Sequence, residues 1–140
     1  MPAQAPSHII ALDVGERRIG VAIASLEARL PSPHGVIINS VDVLDDIQHL
    51  VVKEAAMAVV VGLPRGLDGQ ETAQTKTVRE FANSLKDKLD IPVHFQDEAL
   101  TSKLAEQELK DRGVGYNKED VDALAATYIL KDFLETHEVL

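Results

Sequence analysis

The sequence predicts an α/β fold: a five-stranded mixed sheet, three antiparallel strands followed by two parallel ones, flanked by helices. Three observations point there. Two short apolar runs lie close together near the N-terminus, across a turn too short for a helix. Residues 58–63, Ala-Val-Val-Val-Gly-Leu, are wholly apolar, as a parallel strand buried on both faces would be. From there on, strand-like and helical patterns alternate, which is the order of strand–helix crossovers.

Residues 1–7 read as a flexible tail, because Pro2 and Pro6 oppose regular structure. Residues 8–140 read as one domain. His8 to Asp13 forms the first strand and ends before Gly15. Ile19 to Ala24 forms the second, with Arg17 and Arg18 in the turn between them. Pro31 and Pro33 punctuate, and Gly35 to Ile38 starts a third strand. Asp45 to Ala56 has helical spacing through Ile47, Leu50, Val51 and Ala55. Ala58 to Leu63 is the buried strand, Pro64 to Gln70 a loop, and Glu71 to Leu89 a long helix. Pro92 to Asp97 is the fifth strand. Thr101 or Ser102 can cap a helix that runs to about Arg112, where Gly113 and Gly115 break it. Glu119 to Leu134 is the last helix.

Composition narrows the function classes. The chain has 140 residues, 45% of them hydrophobic and 26% charged, as in ordinary globular proteins. There is no cysteine, so disulfides and thiolate metal sites are excluded. The N-terminus lacks the pattern of a secretory signal, and no apolar run approaches the ~20 residues of a membrane span. A cytoplasmic protein without membrane contact is expected. The net charge of -9 counts against unaided binding to nucleic acid. That charge is uneven, however. Residues 64–118 carry nine Lys/Arg against ten Asp/Glu, while residues 119–140 carry one against six. A local basic rim is compatible with this distribution.

Three carboxylates are the candidates for chemistry. Asp13 ends the first strand, where open α/β sheets bind ligands, although a turn Asp that bonds its own loop reads equally well. Asp97 and Glu98 end the fifth strand. Strand side chains alternate faces, so only one of them can point towards Asp13. Glu98 shares a face with the polar Gln96 and His94, and Asp97 with Phe95 and Val93, which favours Glu98; a solvated strand end is the alternative. Asp122 lies at the start of the last helix, with Ala125 and Ala126 below it, small enough for the helix to approach the sheet. Its alternative is a helix-start Asp favoured by the macrodipole.

Together the three can share one site at two strand ends and a helix start. Hard oxygen ligands without cysteine suit Mg²⁺ or Mn²⁺. Two such ions can activate a water and stabilise the leaving oxygen of a phosphodiester. The loop with Arg65 precedes a helix N-terminus, and Thr101, Ser102 and Lys103 open another; both places suit phosphate. With Arg17 and Arg18, these residues are the candidate nucleic-acid contacts. A turn and a helix cap are the plain alternatives. The five histidines show no metal-ligand spacing.

Four ordered blocks carry a resemblance. They are Leu12-Asp13-Val14-Gly15 with Arg18-Ile19-Gly20-Val21-Ala22, Val61-Gly62-Leu63-Pro64 with Asp68-Gly69, Asp97-Glu98 with Leu100-Thr101, and Val121-Asp122 with Ala125-Ala126 and Ile129-Leu130. In them the sequence resembles the YqgF/RuvX family of Holliday-junction-resolvase-like nucleases. The resemblance implies an RNase H-like fold and a metal-dependent nuclease site at Asp13, Glu98 and Asp122. It also implies processing of the pre-16S rRNA end, Holliday junction resolution, or both. A junction cutter would be a two-fold homodimer, matching its substrate's symmetry. The chain departs from the family at Ala99, where an arginine is usual, at Ser102, where a threonine is usual, and in the weakly basic loop 113–118.

Two other readings compete. Asp13-Val14-Gly15 with Gly20 also resembles the first phosphate loop of actin-like ATPases and sugar kinases, but these need a second domain and a second phosphate loop. A non-catalytic nucleic-acid-binding or scaffold module is the other alternative, and the retention of all three acidic positions argues against it.

Overall fold

The computed structural model describes residues 5–66, 68–98 and 101–137. Nine elements follow one another: β1 (His8–Val14), β2 (Arg18–Ser25), β3 (Ser32–Ile38), α1 (Val43–Lys53), β4 (Ala56–Pro64), α2 (Ala73–Lys88), β5 (Val93–Glu98), α3 (Thr101–Asp111) and α4 (Lys118–Thr136). The strands form one sheet in the order β3-β2-β1-β4-β5. The β1–β2 and β2–β3 pairs are antiparallel, and the β1–β4 and β4–β5 pairs are parallel. This is the mixed sheet the sequence predicts. Its parallel strands β1, β4 and β5 all end at one edge.

Alternation of side chains gives the sheet two apolar faces. On one, Ile10, Leu12, Ile19, Val21, Val59, Val61, Leu63 and Val93 pack with residues of α1 and α2. On the other, Ile9, Ala11, Ala22, Ala24 and Val60 meet Ala126, Ile129, Leu130, Phe133 and Leu134 of α4. Helix α3 lies outside α4, through Ala105 and Leu109 against Leu124 and Ala125. Helix α4 is thus buried on two sides. That explains why its apolar residues spread around its circumference instead of forming one stripe.

Several boundaries differ from expectation for identifiable reasons. Strand β3 begins at Ser32 and contains Pro33. It is an edge strand, where a residue without an N–H is tolerated, and the register against β2 shifts between Val21 and Ala22. Arg18 is the first residue of β2, not a turn residue. Helix α2 begins at Ala73 because Thr72 caps it, in a capping box with Thr75. Helix α4 begins at Lys118, capped by Asn117 in a box with Asp120. Met1 to Gln4 of the expected tail, and Ala99, lie outside the described residues.

Candidate functional site

The site is built at the sheet edge where the parallel strands end. Asp13 continues the face of β1 that Ile9 and Ala11 turn towards α4. On β5, Val93 and Phe95 pack on the opposite side, with α1 and α2. By alternation, Gln96 and Glu98 therefore share the side of Asp13. Asp97 is exposed and accepts a 3.3 Å hydrogen bond from Arg65 Nε. Gly62 on β4 lies between the two strand ends. A Cβ there would stand 3.2 Å from the Glu98 carboxyl carbon and 2.4 Å from Ile129 Cδ1. The missing side chain leaves room for both the carboxylate and the helix.

The third carboxylate arrives on α4. Gly20 of β2 is registered opposite Asp13, and α4 rests directly on it: a Cβ at Gly20 would stand 2.0 Å from the Asp122 carbonyl oxygen. The close approach comes from this glycine. Ala126 packs on the sheet, whereas Ala125 faces α3. Asp122 is the fifth residue of its helix, past the first turn, so the macrodipole account fits Glu119 and Asp120 instead. Arg18 Nε donates to Asp122 Oδ2 at 2.7 Å.

Electrostatics tie the three groups together. Burial pushes the Asp13 carboxyl up from 3.8 to about 7, with further contributions from the negative charges of Glu98 and Asp122. Burial also raises Glu98, opposed by the Thr101 hydroxyl, which donates to its Oε2. Among the described residues neither Asp13 nor Glu98 is paired with a cation.

A cleft of about 260 Å³ opens at this edge, lined by Asp13, Pro64, Arg65, Gln74, Glu98, Thr101, Ser102 and Lys103. Six of these were singled out from sequence: Asp13, Arg65, Glu98, Thr101, Ser102 and Lys103. Gln74 was not, although its place in the first turn of α2, after a loop, is a position where polar side chains meet ligands. Arg18 and Asp122 do not line it and are paired with each other. Arg17 is exposed in the β1–β2 turn and does not line it. Arg65 is shared between Asp97 and Glu71, the latter at 3.5 Å.

The donor set suits a hard divalent cation in part. Asp13 and Glu98 offer two half-buried carboxylates to one cleft, an arrangement of like charges that a cation relieves. Among the described residues, however, no three Asp, Glu or His side chains stand close enough to hold a single ion. The third carboxylate is engaged by Arg18. Among the same residues, no helix is long and apolar enough to cross a membrane.

A family model described as RuvX, Holliday junction resolvase, matches residues 7–136. A protein of Chloroflexus aggregans named "Putative pre-16S rRNA nuclease" is 41% identical over 131 residues, covering 91% of this chain and 92% of the relative. A protein of the same name from Orientia tsutsugamushi is 37% identical over 136 residues, 95% of this chain and 87% of the relative. Among solved structures, Thermus thermophilus RuvC in complex with a Holliday junction substrate aligns with a TM-score of 0.55 at 16% identity, over 93% of this chain and 97% of that one. The fowlpox virus Holliday junction resolvase aligns with a TM-score of 0.53 at 9% identity, over 93% and 99%. These two likenesses show the shared RNase H-like fold.

Proposed function

Because the chain belongs to the RuvX family, a family of nucleases acting on nucleic acid, we propose that it is a two-metal-ion endonuclease of structured nucleic acid with its centre at Asp13, Glu98 and Asp122. The observation that carries this reading is the half-buried Asp13 carboxylate, at a strand end in one cleft with Glu98 and within electrostatic reach of Asp122. Repulsion among clustered, partly desolvated acids is a cost that a bound cation removes. A scaffold protein would gain nothing from keeping it.

Asp13 and Glu98 would hold the cation, Mg²⁺ or Mn²⁺, and Asp122 would complete the set once Arg18 releases it. When bound, the metal supplies positive charge to the phosphodiester oxygens and acidifies a water. The protein's residues do the rest. Thr101 fixes the orientation of Glu98 by donating to it. Lys103 and Arg65, both lining the cleft, would offset the chain's overall negative charge where a phosphate backbone enters. Ser102 and Gln74 add hydrogen-bonding groups for the strand being cut. Arg17, exposed beyond the cleft, would meet flanking phosphates.

The substrate follows from the relatives' names. Those 37–41% identical over most of both chains carry the pre-16S rRNA name, so we assign processing of the pre-16S rRNA end in the cytoplasm. The family description favours a second substrate, the four-way DNA junction; for that one a two-fold homodimer would match the symmetry. The test is direct. Purified protein is incubated with precursor rRNA and with a four-way junction, each with Mg²⁺, Mn²⁺ or chelator. Metal-dependent cleavage of the RNA, lost in Asp122→Asn with the fold intact, is expected. Metal-dependent cutting of the junction alone would shift the assignment to DNA. No cleavage of either would return the chain to the scaffold reading.

A further inference from the structure

Of the three clustered carboxylates, Asp122 is the one whose charge is already met by a cation. Arg18 and Gly20 share a face of β2 by alternation, and Gly20 is the residue on which the Asp122 backbone rests. The guanidinium therefore reaches Asp122 from beside its own helix contact, Nε to Oδ2 at 2.7 Å. The bond is single. It uses Nε, and the Nη groups make no hydrogen bond among the described residues. Both side chains remain partly open to water, at 27% and 24% of their surface.

This is not how a structural ion pair is built. A buried, bidentate pair cannot lose one partner cheaply, because the charge left behind is unpaired. A partly exposed, single-bonded pair contributes little to stability. It can be given up cheaply when a stronger competitor for the carboxylate arrives, and a divalent ion beside Asp13 and Glu98 would be one. The pair also accounts for an otherwise awkward observation: the carboxylates do not form a ready three-ligand group.

We infer that Arg18 is a displaceable cationic latch on Asp122, which occupies that carboxylate in the metal-free protein and yields it to the incoming cation. The inference rests on the metal-site reading above and adds a competitor to it. Once displaced, the guanidinium has free donors beside the Gly20–Asp122 contact, to meet a substrate phosphate. Metal and substrate then favour each other: the ion releases the arginine, and the phosphate keeps the arginine from returning. In the absence of nucleic acid the latch weakens metal binding, so the protein is least charged with metal when no substrate is present.

Calorimetric titration of Mn²⁺ into the full-length protein without nucleic acid tests this. Arg18→Gln should bind Mn²⁺ roughly two- to fivefold more tightly than the unmutated protein, the range that loss of one competing ion pair gives. Arg18→Lys, which keeps the charge, should stay near the unmutated value. The gain should vanish in the Arg18→Gln/Asp122→Asn double variant compared with Asp122→Asn alone. Substrate affinity should move the other way in Arg18→Gln, with KM raised more than kcat is lowered. Mn²⁺ binding by Arg18→Gln that is equal to or weaker than that of the unmutated protein would overturn the latch. If Asp13→Asn weakens Mn²⁺ binding while Arg18→Gln does not tighten it, the latch alone fails. If Asp13→Asn leaves binding unchanged, the metal site itself fails, and the latch with it.

Discussion

Gly20 and Asp122 meet backbone to backbone, with no room for a methyl group between β2 and α4. Gly20 is also the register partner of Asp13, so this contact sets how the helix-borne carboxylate stands relative to the strand-borne one. Gly20→Ala should lift the start of α4 from the sheet and destabilise the protein by about 2–4 kcal/mol. Chemical denaturation measures the loss, and cleavage should fall with it even below the melting point. An unchanged denaturation midpoint would mean that α4 can shift without consequence.

The choice of Glu98 over its neighbour is open to a paired test. Glu98→Gln removes a half-buried carboxylate from the cleft and should lower metal-dependent cleavage by about 10²–10³-fold. Asp97→Asn removes an exposed group whose partner is Arg65, and cleavage should stay within about tenfold of the unmutated rate. Single-turnover assays of the two variants side by side read the difference. Equal losses would refute the assignment by strand parity.

How much of this was legible in the residues alone divides along physical lines. The sheet was, because local patterns determine it: the wholly apolar run ending in Val61-Gly62-Leu63 reads as a strand covered on both faces, and it is. Strand parity also separated Glu98, which lines the cleft, from the exposed Asp97. The alternation of Val93 and Phe95 against Gln96 and Glu98 assigns sides without any coordinates. Pro33 misled, since a proline marks the end of a strand unless the strand is an edge, and edges are decided by the whole sheet. The Arg18–Asp122 pair was out of reach, because it joins residues 104 positions apart and nothing local requires it. Gln74 was missed because its role depends on where α2 docks. The start of α4 lay hidden in Asn117, an N-cap residue that could have been recognised from Asn117 and Asp120 three positions apart.

Titration of Asp13 links stability to pH. Its carboxyl is held at about 7 in the fold, against an ordinary value of 3.8. A raised carboxyl favours the folded state only while protonated. That contribution is complete below about pH 4 and is lost as pH rises through about 7. Glu98 is raised too and adds in the same direction. The metal-free protein should therefore lose stability between pH 4 and 7, and Asp13→Asn should not lose the Asp13 share. At pH 8 the variant should be more stable than the unmutated protein by roughly 2–4 kcal/mol. Denaturant melts at pH 5 and pH 8 in chelator check this. Parallel pH profiles for the two proteins would contradict it.

The helix that carries Asp122 is held at its start by the Asn117–Asp120 capping box, whose two hydrogen bonds are 2.9 and 3.0 Å. Asn117→Ala should cost about 1 kcal/mol of stability. It should also loosen the first turn of α4, visible as faster amide exchange at residues 118–122. Exchange in β4, on the far side of β1, should follow only the global change. Unaltered protection at the start of α4 would show that packing on Gly20 and α3 holds this turn without its cap.

The central claim is that the clustered carboxylates bind the metal that the nuclease uses. Mn²⁺ titration calorimetry on the unmutated protein and on Asp13→Asn, both at pH 8, tests it most directly. The unmutated protein should bind saturably, and affinity should fall by about 10²-fold or more in Asp13→Asn, a variant that is folded and more stable without metal. Mn²⁺ binding of equal affinity by Asp13→Asn would contradict it.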